Sequence, residues 1–268
     1  MKRLFAVLLA FCFVVAGGCG MSLAADDVNC WFPPDWKDKG AQAKAISEVL
    51  TEKSGLTVRP RIAKSYPEIL QAFSGSDASL VYVGSFVQAI IKARGLGTTL
   101  AQQVNGQEFY SGVLIYPQGQ DPAAIISNSP AAIAYAVGAS SGESCAKAAT
   151  GGKAAIATPN HGASVGAVKS GKAKAAMVKN WWWDANKDKY PEMAMYEIPD
   201  ISLVKNPDNV LTASRAIPAE QADKIRQAAL SGGEVFGKGE MKAFDSSSLD
   251  FSLSLMKKGG IDPLTYSW

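Results

Sequence analysis

The order of apolar runs and turn residues predicts an α/β protein with mixed, mainly parallel sheets and helices on both faces. One observation is a recurring strand-turn-helix unit: residues 78–83, Gly84-Ser85 and 86–94, then residues 132–137, Gly138-Ala139-Ser140-Ser141-Gly142 and 143–150. A further unit follows at once, with a strand at 154–157, a cap at Thr158-Pro159-Asn160, a helix at 161–169 and a strand at 173–178. A second observation is that these strand runs are continuously apolar rather than alternating, as strands covered on both faces are. The third is size: 268 residues, 47% of them hydrophobic, can bury one large core or two smaller ones.

The elements can be justified in order. Residues 40–53 put Ala43, Ile46, Val49 and Leu50 on one helical face, and Ser54-Gly55 ends that helix. Residues 56–63 read as a strand. Ser65-Tyr66-Pro67-Glu68 is a capping box with proline in the first turn, so Tyr66 stands at the entrance of a helix that carries Ile69, Leu70 and Phe73. Strands are expected at 98–104 and 109–116, and residues 117–130, rich in Gly, Pro, Asn and Ser, read as a connection. After the central units come Trp181-Trp182-Trp183, a polar helical segment to Tyr190-Pro191, a strand at 193–198 and a second connection at 200–207. Adjacent helical residues point about 100° apart, so at most one or two of the three tryptophans can face a pocket. A strand at 209–216 and helices at 218–230, 235–244 and 249–258 close the chain.

Lys2-Arg3 followed by the apolar run 4–16 forms a basic segment and a hydrophobic segment too short to span a bilayer, the pattern of an export signal over residues 1–25. Ser22-Leu23-Ala24-Ala25 offers ordinary cleavage and a soluble mature chain beginning near Asp26, whereas Ala16-Gly17-Gly18-Cys19 offers a lipid anchor on Cys19. The mature chain would lose two basic residues and no acidic ones from a chain of net charge +3, leaving +1, which argues against nucleic acid as a partner. Cys30 and Cys145 remain in an oxidising compartment, and spacing alone does not say whether they pair. A single histidine and scattered cysteines give no metal-ligand cluster, and no cofactor motif is present.

The central stretch carries the chemistry. A strand, a small-residue turn and a helix N-terminus present backbone N–H groups and a positive dipole end, and Ser140 and Ser141 add hydroxyl donors, a combination suited to an anionic oxygen cluster. From Ser144 to Trp183 there are six lysines and no carboxylate, so this part should hold a positive local field. Gly138-Ala139-Ser140-Ser141-Gly142 also matches the G-x-S-x-G turn of serine hydrolases, with Ser140 as nucleophile. The remaining constellation is lacking, because His161 is the sole histidine and Glu143 the only carboxylate between it and Ser140.

At these residues the chain resembles the periplasmic phosphonate/phosphite/phosphate-binding proteins of ABC importers, a branch of the type 2 solute-binding fold. Tyr66-Pro67-Glu68-Ile69-Leu70, the run from Ala78 through Gly84-Ser85-Phe86, and Phe109-Tyr110-Ser111-Gly112 are similar to the family's tyrosine-led helix, glycine-turn strand and tyrosine-bearing crossover. Ala139-Ser140-Ser141-Gly142 resembles its serine-threonine-serine-glycine loop, with two of three hydroxyls kept, and His161 its downstream histidine. The resemblance implies two lobes, 26–112 with 205–268 and 113–204, joined by two crossovers around the ligand. It implies binding by Tyr66, Ser85, Tyr110, Ser140, Ser141 and His161, no catalysis, a monomer, and delivery of a small oxyanion to a membrane permease. A sensor subunit for a membrane histidine kinase is the alternative. Lys179 and Asn180 stand where members that bind aminophosphonates place acids, which implies a ligand without an amine.

Overall fold

The computed structural model describes residues 27–267. The expected export signal and Cys19 lie outside the described residues. Two sheets form the frame. The first runs β13 (Glu240–Ala243), β4 (Gly97–Val104), β12 (Val210–Ser214), β3 (Ser79–Val83), β1 (Asp27–Phe32), β2 (Thr57–Ile62), and the second β10 (Met193–Tyr196), β6 (Gly112–Pro117), β9 (Ala175–Lys179), β7 (Ile133–Ala136), β8 (Ile156–Thr158). In the first, β1 (Asp27–Phe32) pairs in parallel with β2 (Thr57–Ile62) and β3 (Ser79–Val83), joined by helices α1 (Gly40–Ser54) and α2 (Tyr66–Ser74). In the second, β7 (Ile133–Ala136) pairs in parallel with β8 (Ile156–Thr158) and β9 (Ala175–Lys179), joined by α5 (Cys145–Thr150) and α6 (His161–Lys169). Returning strands make both sheets mixed. β12 (Val210–Ser214) inserts antiparallel between β3 and β4 (Gly97–Val104), while β6 (Gly112–Pro117) lies antiparallel to β9 and to β10 (Met193–Tyr196).

The chain passes from the first sheet to the second at β5 (Phe109–Tyr110) and returns at β11 (Asn206–Pro207), and these two short strands pair antiparallel with Tyr110 opposite Asn206. The strand expected over 109–116 is therefore broken at Ser111. Its backbone N–H donates to the Asn180 side chain at 3.1 Å and its carbonyl accepts from the Asn180 N–H at 3.1 Å, which pins the crossover to the second sheet. Gly112 follows because nothing larger fits: an added Cβ would lie 2.6 Å from Cys145 Sγ and 2.7 Å from the Ser141 carbonyl oxygen.

Two other expectations are corrected. Residues 235–244 do not form a helix; a 3₁₀ turn at Gly233–Phe236 leads to strand β13 (Glu240–Ala243) on the edge of the first sheet, antiparallel to β4. Gly237 and Gly239, at φ +142° and +108°, turn the chain into that register, a conformation open to glycine. The connection at 117–130 contains a short helix, α4 (Pro122–Asn128), capped by the Asp121 carboxylate accepting from the Ala123 and Ala124 N–H groups.

The last helix, α9 (Asp250–Lys258), serves both halves. Leu255 joins the core with Leu114 and Met177 under the second sheet, and Met256 joins Ile69, Phe86 and Ile90 under the first. No described helix is long and apolar enough to cross a membrane. Cys30 and Cys145 are both buried, free, and in different cores. Burial pushes both thiols up, that of Cys145 to about 12, so neither core supplies a ready thiolate. Both thiols are expected to react with an alkylating reagent only after denaturation, and reductant is expected to leave ligand affinity unchanged. An oxidised pair whose reduction shifts affinity several-fold would contradict this arrangement.

Candidate functional site

A cavity of about 310 Å³ lies where elements of the two sheets meet. Tyr66 enters it from the first turn of α2. Half of the capping box expected there forms, Ser65 Oγ accepting from the Glu68 N–H at 3.4 Å, while the Glu68 carboxylate accepts from the Lys64 N–H at 2.6 Å, one residue before the cap. Ser85 opens α3 (Ser85–Ala93), a helix fixed to the sheet by buried Gln88, whose amide donates to the Val210 carbonyl at 2.8 Å and accepts from Thr212 Oγ1 at 2.7 Å. Tyr110 comes from the crossover strand.

From the second sheet come Ser140 and Ser141, on a π-helical turn (Ser140–Ser144) that runs directly into α5. Such turns set side chains at angles an α-helix does not offer. The turn depends on Gly138, whose φ is +74° and where a Cβ would stand 2.7 Å from the Tyr66 ring. His161 starts α6, behind the Asn160 cap that accepts from the Ala163 N–H at 2.9 Å.

Of the six residues named from the sequence, Tyr66, Tyr110, Ser140, Ser141 and His161 line the cavity, and Ser85 lies directly behind it. Ser85 Oγ donates to Ser140 Oγ at 2.9 Å and is 2.9 Å from the Tyr110 hydroxyl. Ser85, Tyr110 and Ser140 thus form one hydrogen-bonded hydroxyl cluster at the cavity wall. Burial pushes the phenols of Tyr66 and Tyr110 upward, so both remain neutral donors at neutral pH. His161 Nε2 is 3.5 Å from Ser141 Oγ, and its buried Nδ1 has no protein partner. Burial first, and the Lys179 charge second, push its pKa down to about 3. The imidazole is therefore neutral at pH 7 in the unliganded protein.

The hydrolase arrangement is not assembled among the described residues. Ser140 is bonded to Ser85, not to His161, and the buried Glu143 accepts from the Gly138 N–H at 2.9 Å and from the Tyr266 hydroxyl at 2.5 Å. That carboxylate secures the serine turn and ties it to the C-terminal segment.

Sequence reasoning missed Asp35, Trp36, Lys39, Gln107, Asp208 and Asn209, which also line the cavity. It overstated the lysines. Only Lys179 of the six reaches the cavity, and its ammonium pairs with Asp208 at 2.7 Å; Lys169 pairs with Glu192 and Lys174 donates to Ser129. Trp181 and Trp182 line the cavity while Trp183 is buried against Tyr190, as helical spacing requires.

This two-sheet frame with a cleft at paired crossovers is the architecture of type 2 periplasmic-binding proteins. Residues 37–133 match the model of the family described as ABC transporter, phosphonate, periplasmic substrate-binding protein, the family that the sequence resembles. No curated protein sequence matches the chain. Among solved structures, the chain is similar to PhnD1 of Prochlorococcus marinus in complex with methylphosphonate, with TM-score 0.65, 14% identity, and coverage of 87% of this chain and 98% of that one. It is similar as well to a binding-protein component of an ABC phosphonate transporter from Pseudomonas aeruginosa, with TM-score 0.64, 13% identity, and 87% and 88% covered. A Xanthomonas citri protein bound to ATP gives TM-score 0.67, 11% identity, and 88% and 97% covered. The structural matches, all at 14% identity or below, show a shared fold, and the family model matches 97 of the 268 residues, from just before α1 to the first residue of β7.

The depressed histidine has a measurable consequence. An unfolded imidazole titrates near its ordinary 6.5 and the folded one near 3, so between these values the unfolded chain binds more protons and stability falls as pH falls. His161→Asn, which cannot take up that proton, is expected to lose less stability than wild type between pH 6.5 and pH 3, as read by denaturant midpoints without ligand. Parallel pH profiles for the two proteins would contradict a neutral, desolvated His161.

Proposed function

We propose that this protein is exported to the periplasm, captures a small phosphonate-type oxyanion between two lobes and presents the closed form to an ABC permease, without catalysing a reaction. The observation that carries this reading is the meeting, in one cavity, of donors from both sheets: Tyr66 and the Tyr110–Ser85 hydroxyl pair on one side, Ser140, Ser141 and His161 on the other. Lobe one comprises 26–112 and 205–268 and lobe two 113–204, with α9 packed against both.

In this reading the N–H groups that open the π turn and the two serine hydroxyls hold the phosphoryl oxygens. The phenols complete the shell from the other lobe. A ligand that touches both halves favours the closed state by the contacts available only there, and the crossovers at Ser111 and Asn206 absorb the motion. The anion would also supply the negative charge that an imidazolium at His161 lacks in the empty cleft, so binding would draw a proton onto that ring below neutral pH. The protein acts as a soluble monomer, with Ser22-Leu23-Ala24-Ala25 as the cleavage region.

Isothermal calorimetry tests the reading with methylphosphonate, phosphite, phosphate and sulfate. Saturable binding of a phosphorus oxyanion, stronger than that of sulfate, is expected. Ser141→Ala is expected to weaken it by about 1–3 kcal/mol, the usual loss of a hydrogen bond to a charged group. Absence of heat with all four anions, or an unchanged affinity in Ser141→Ala, would contradict the proposed site.

A further inference from the structure

Beside the anion-binding hydroxyls the cavity contains a site built for a cation, and the protein fills it itself. The Lys179 ammonium lies 4.4 Å from the centre of the Tyr110 ring and 4.4 Å from the centre of the Trp181 ring, and 2.7 Å from Asp208 Oδ1. Two aromatic faces and a carboxylate around one ammonium form a cation cage. The enclosure is more than a surface ion pair: the Lys179 and Asp208 side chains are each 22% exposed and Tyr110 is 4% exposed. The four residues come from the end of β9 (Lys179), the crossover strand β5 (Tyr110), the first turn of α7 (Asn180–Asn186; Trp181) and the residue after β11 (Asp208), so the fold assembles the cage at the cleft.

Tyr110 belongs to both compartments. Its ring is one wall of the cage, and its hydroxyl belongs to the Tyr110–Ser85–Ser140 chain on the anion side. A phosphonate whose phosphoryl group met Ser140 and Ser141 would therefore direct its substituent along the Tyr110 ring toward Lys179. An ammonium on that substituent would meet a resident ammonium and find Asp208 already neutralised.

On the phosphonate reading above, we propose that Lys179 is the specificity-determining residue of this cleft: its ammonium occupies the subsite that a ligand amine would need, and so excludes aminoalkyl phosphonates. The selection is by occupancy rather than by absence of an acid. Two carboxylates line the cavity, Asp208 and Asp35; Lys179 holds Asp208 in an ion pair, and its charge acts on Asp35 as well.

The test compares three ligands, methylphosphonate, 2-aminoethylphosphonate and propylphosphonate, the last matching the aminoethyl chain in size without its charge. Wild type is expected to prefer methylphosphonate to 2-aminoethylphosphonate. In Lys179→Met the absolute affinity for 2-aminoethylphosphonate is expected to rise at least about tenfold, the scale of one well-placed ion pair, with no comparable gain for propylphosphonate. Lys179→Arg, which keeps a cation in the cage, is expected to show no gain, and Lys179→Met with Asp208→Asn is expected to lose the gain. Lys179→Gln is the second single variant should the methionine form fail to fold. Tighter wild-type binding of 2-aminoethylphosphonate, no gain in either neutral variant, an equal gain for propylphosphonate, or a gain that survives Asp208→Asn would overturn the proposal. Failure of wild type to bind any of the three would instead overturn the phosphonate reading.

Discussion

The hydroxyl chain from Tyr110 through Ser85 to Ser140 is the contact on which the cleft depends. Each hydroxyl is buried, and a buried hydroxyl without a partner costs more than a satisfied one contributes. Ser85 is supplied by a helix of the first sheet and Ser140 by a turn of the second, so the two halves satisfy one another's polar groups where they meet. This hydroxyl cluster stands at the wall of a cavity that other donors also line.

The surroundings serve that contact. Gly138 lets the turn pass under Tyr66, Gly112 lets the crossover pass against Cys145, and Glu143 holds the Gly138 N–H while accepting from Tyr266 at the other end of the chain. Tyr266 also packs edge-on against Phe86 beside Ser85, at 5.3 Å between ring centres. The C-terminal segment thus touches both the serine turn and the helix that carries its partner. Removing any of these supports would misplace donors that must sit within hydrogen-bond reach, which is a stronger constraint than overall stability.

Much of this was legible locally. Ser65, Pro67 and Glu68 announced a helix start that puts Tyr66 at the cleft, Gly84-Ser85 announced a strand-to-helix turn, and the glycine-serine run at 138–142 announced a donor-rich N-terminus. These signals live within four or five residues. The missed features are all long-range. Asp208 meets Lys179 only because β11 returns beside β5, and nothing near Asp208 in sequence marks it as a cleft residue. Trp36 and Asp35 reach the cavity on a 3₁₀ turn (Pro34–Trp36) whose proline spacing reads as a plain loop. The edge strand at Glu240–Ala243 buries only Met241, too little for a period of two to show, and its pairing with β4 decides the structure.

The central claim is that the serine turn and the tyrosine side of the cleft grip one phosphoryl group from opposite sheets. A crystal structure of the protein grown with methylphosphonate tests it most directly. The account predicts phosphoryl oxygens within hydrogen-bond distance of Ser140 Oγ, Ser141 Oγ and the N–H groups of that turn, with at least one contact from Tyr66, Ser85 or Tyr110. A phosphonate bound outside this cavity, or held by one sheet's residues alone, would contradict it.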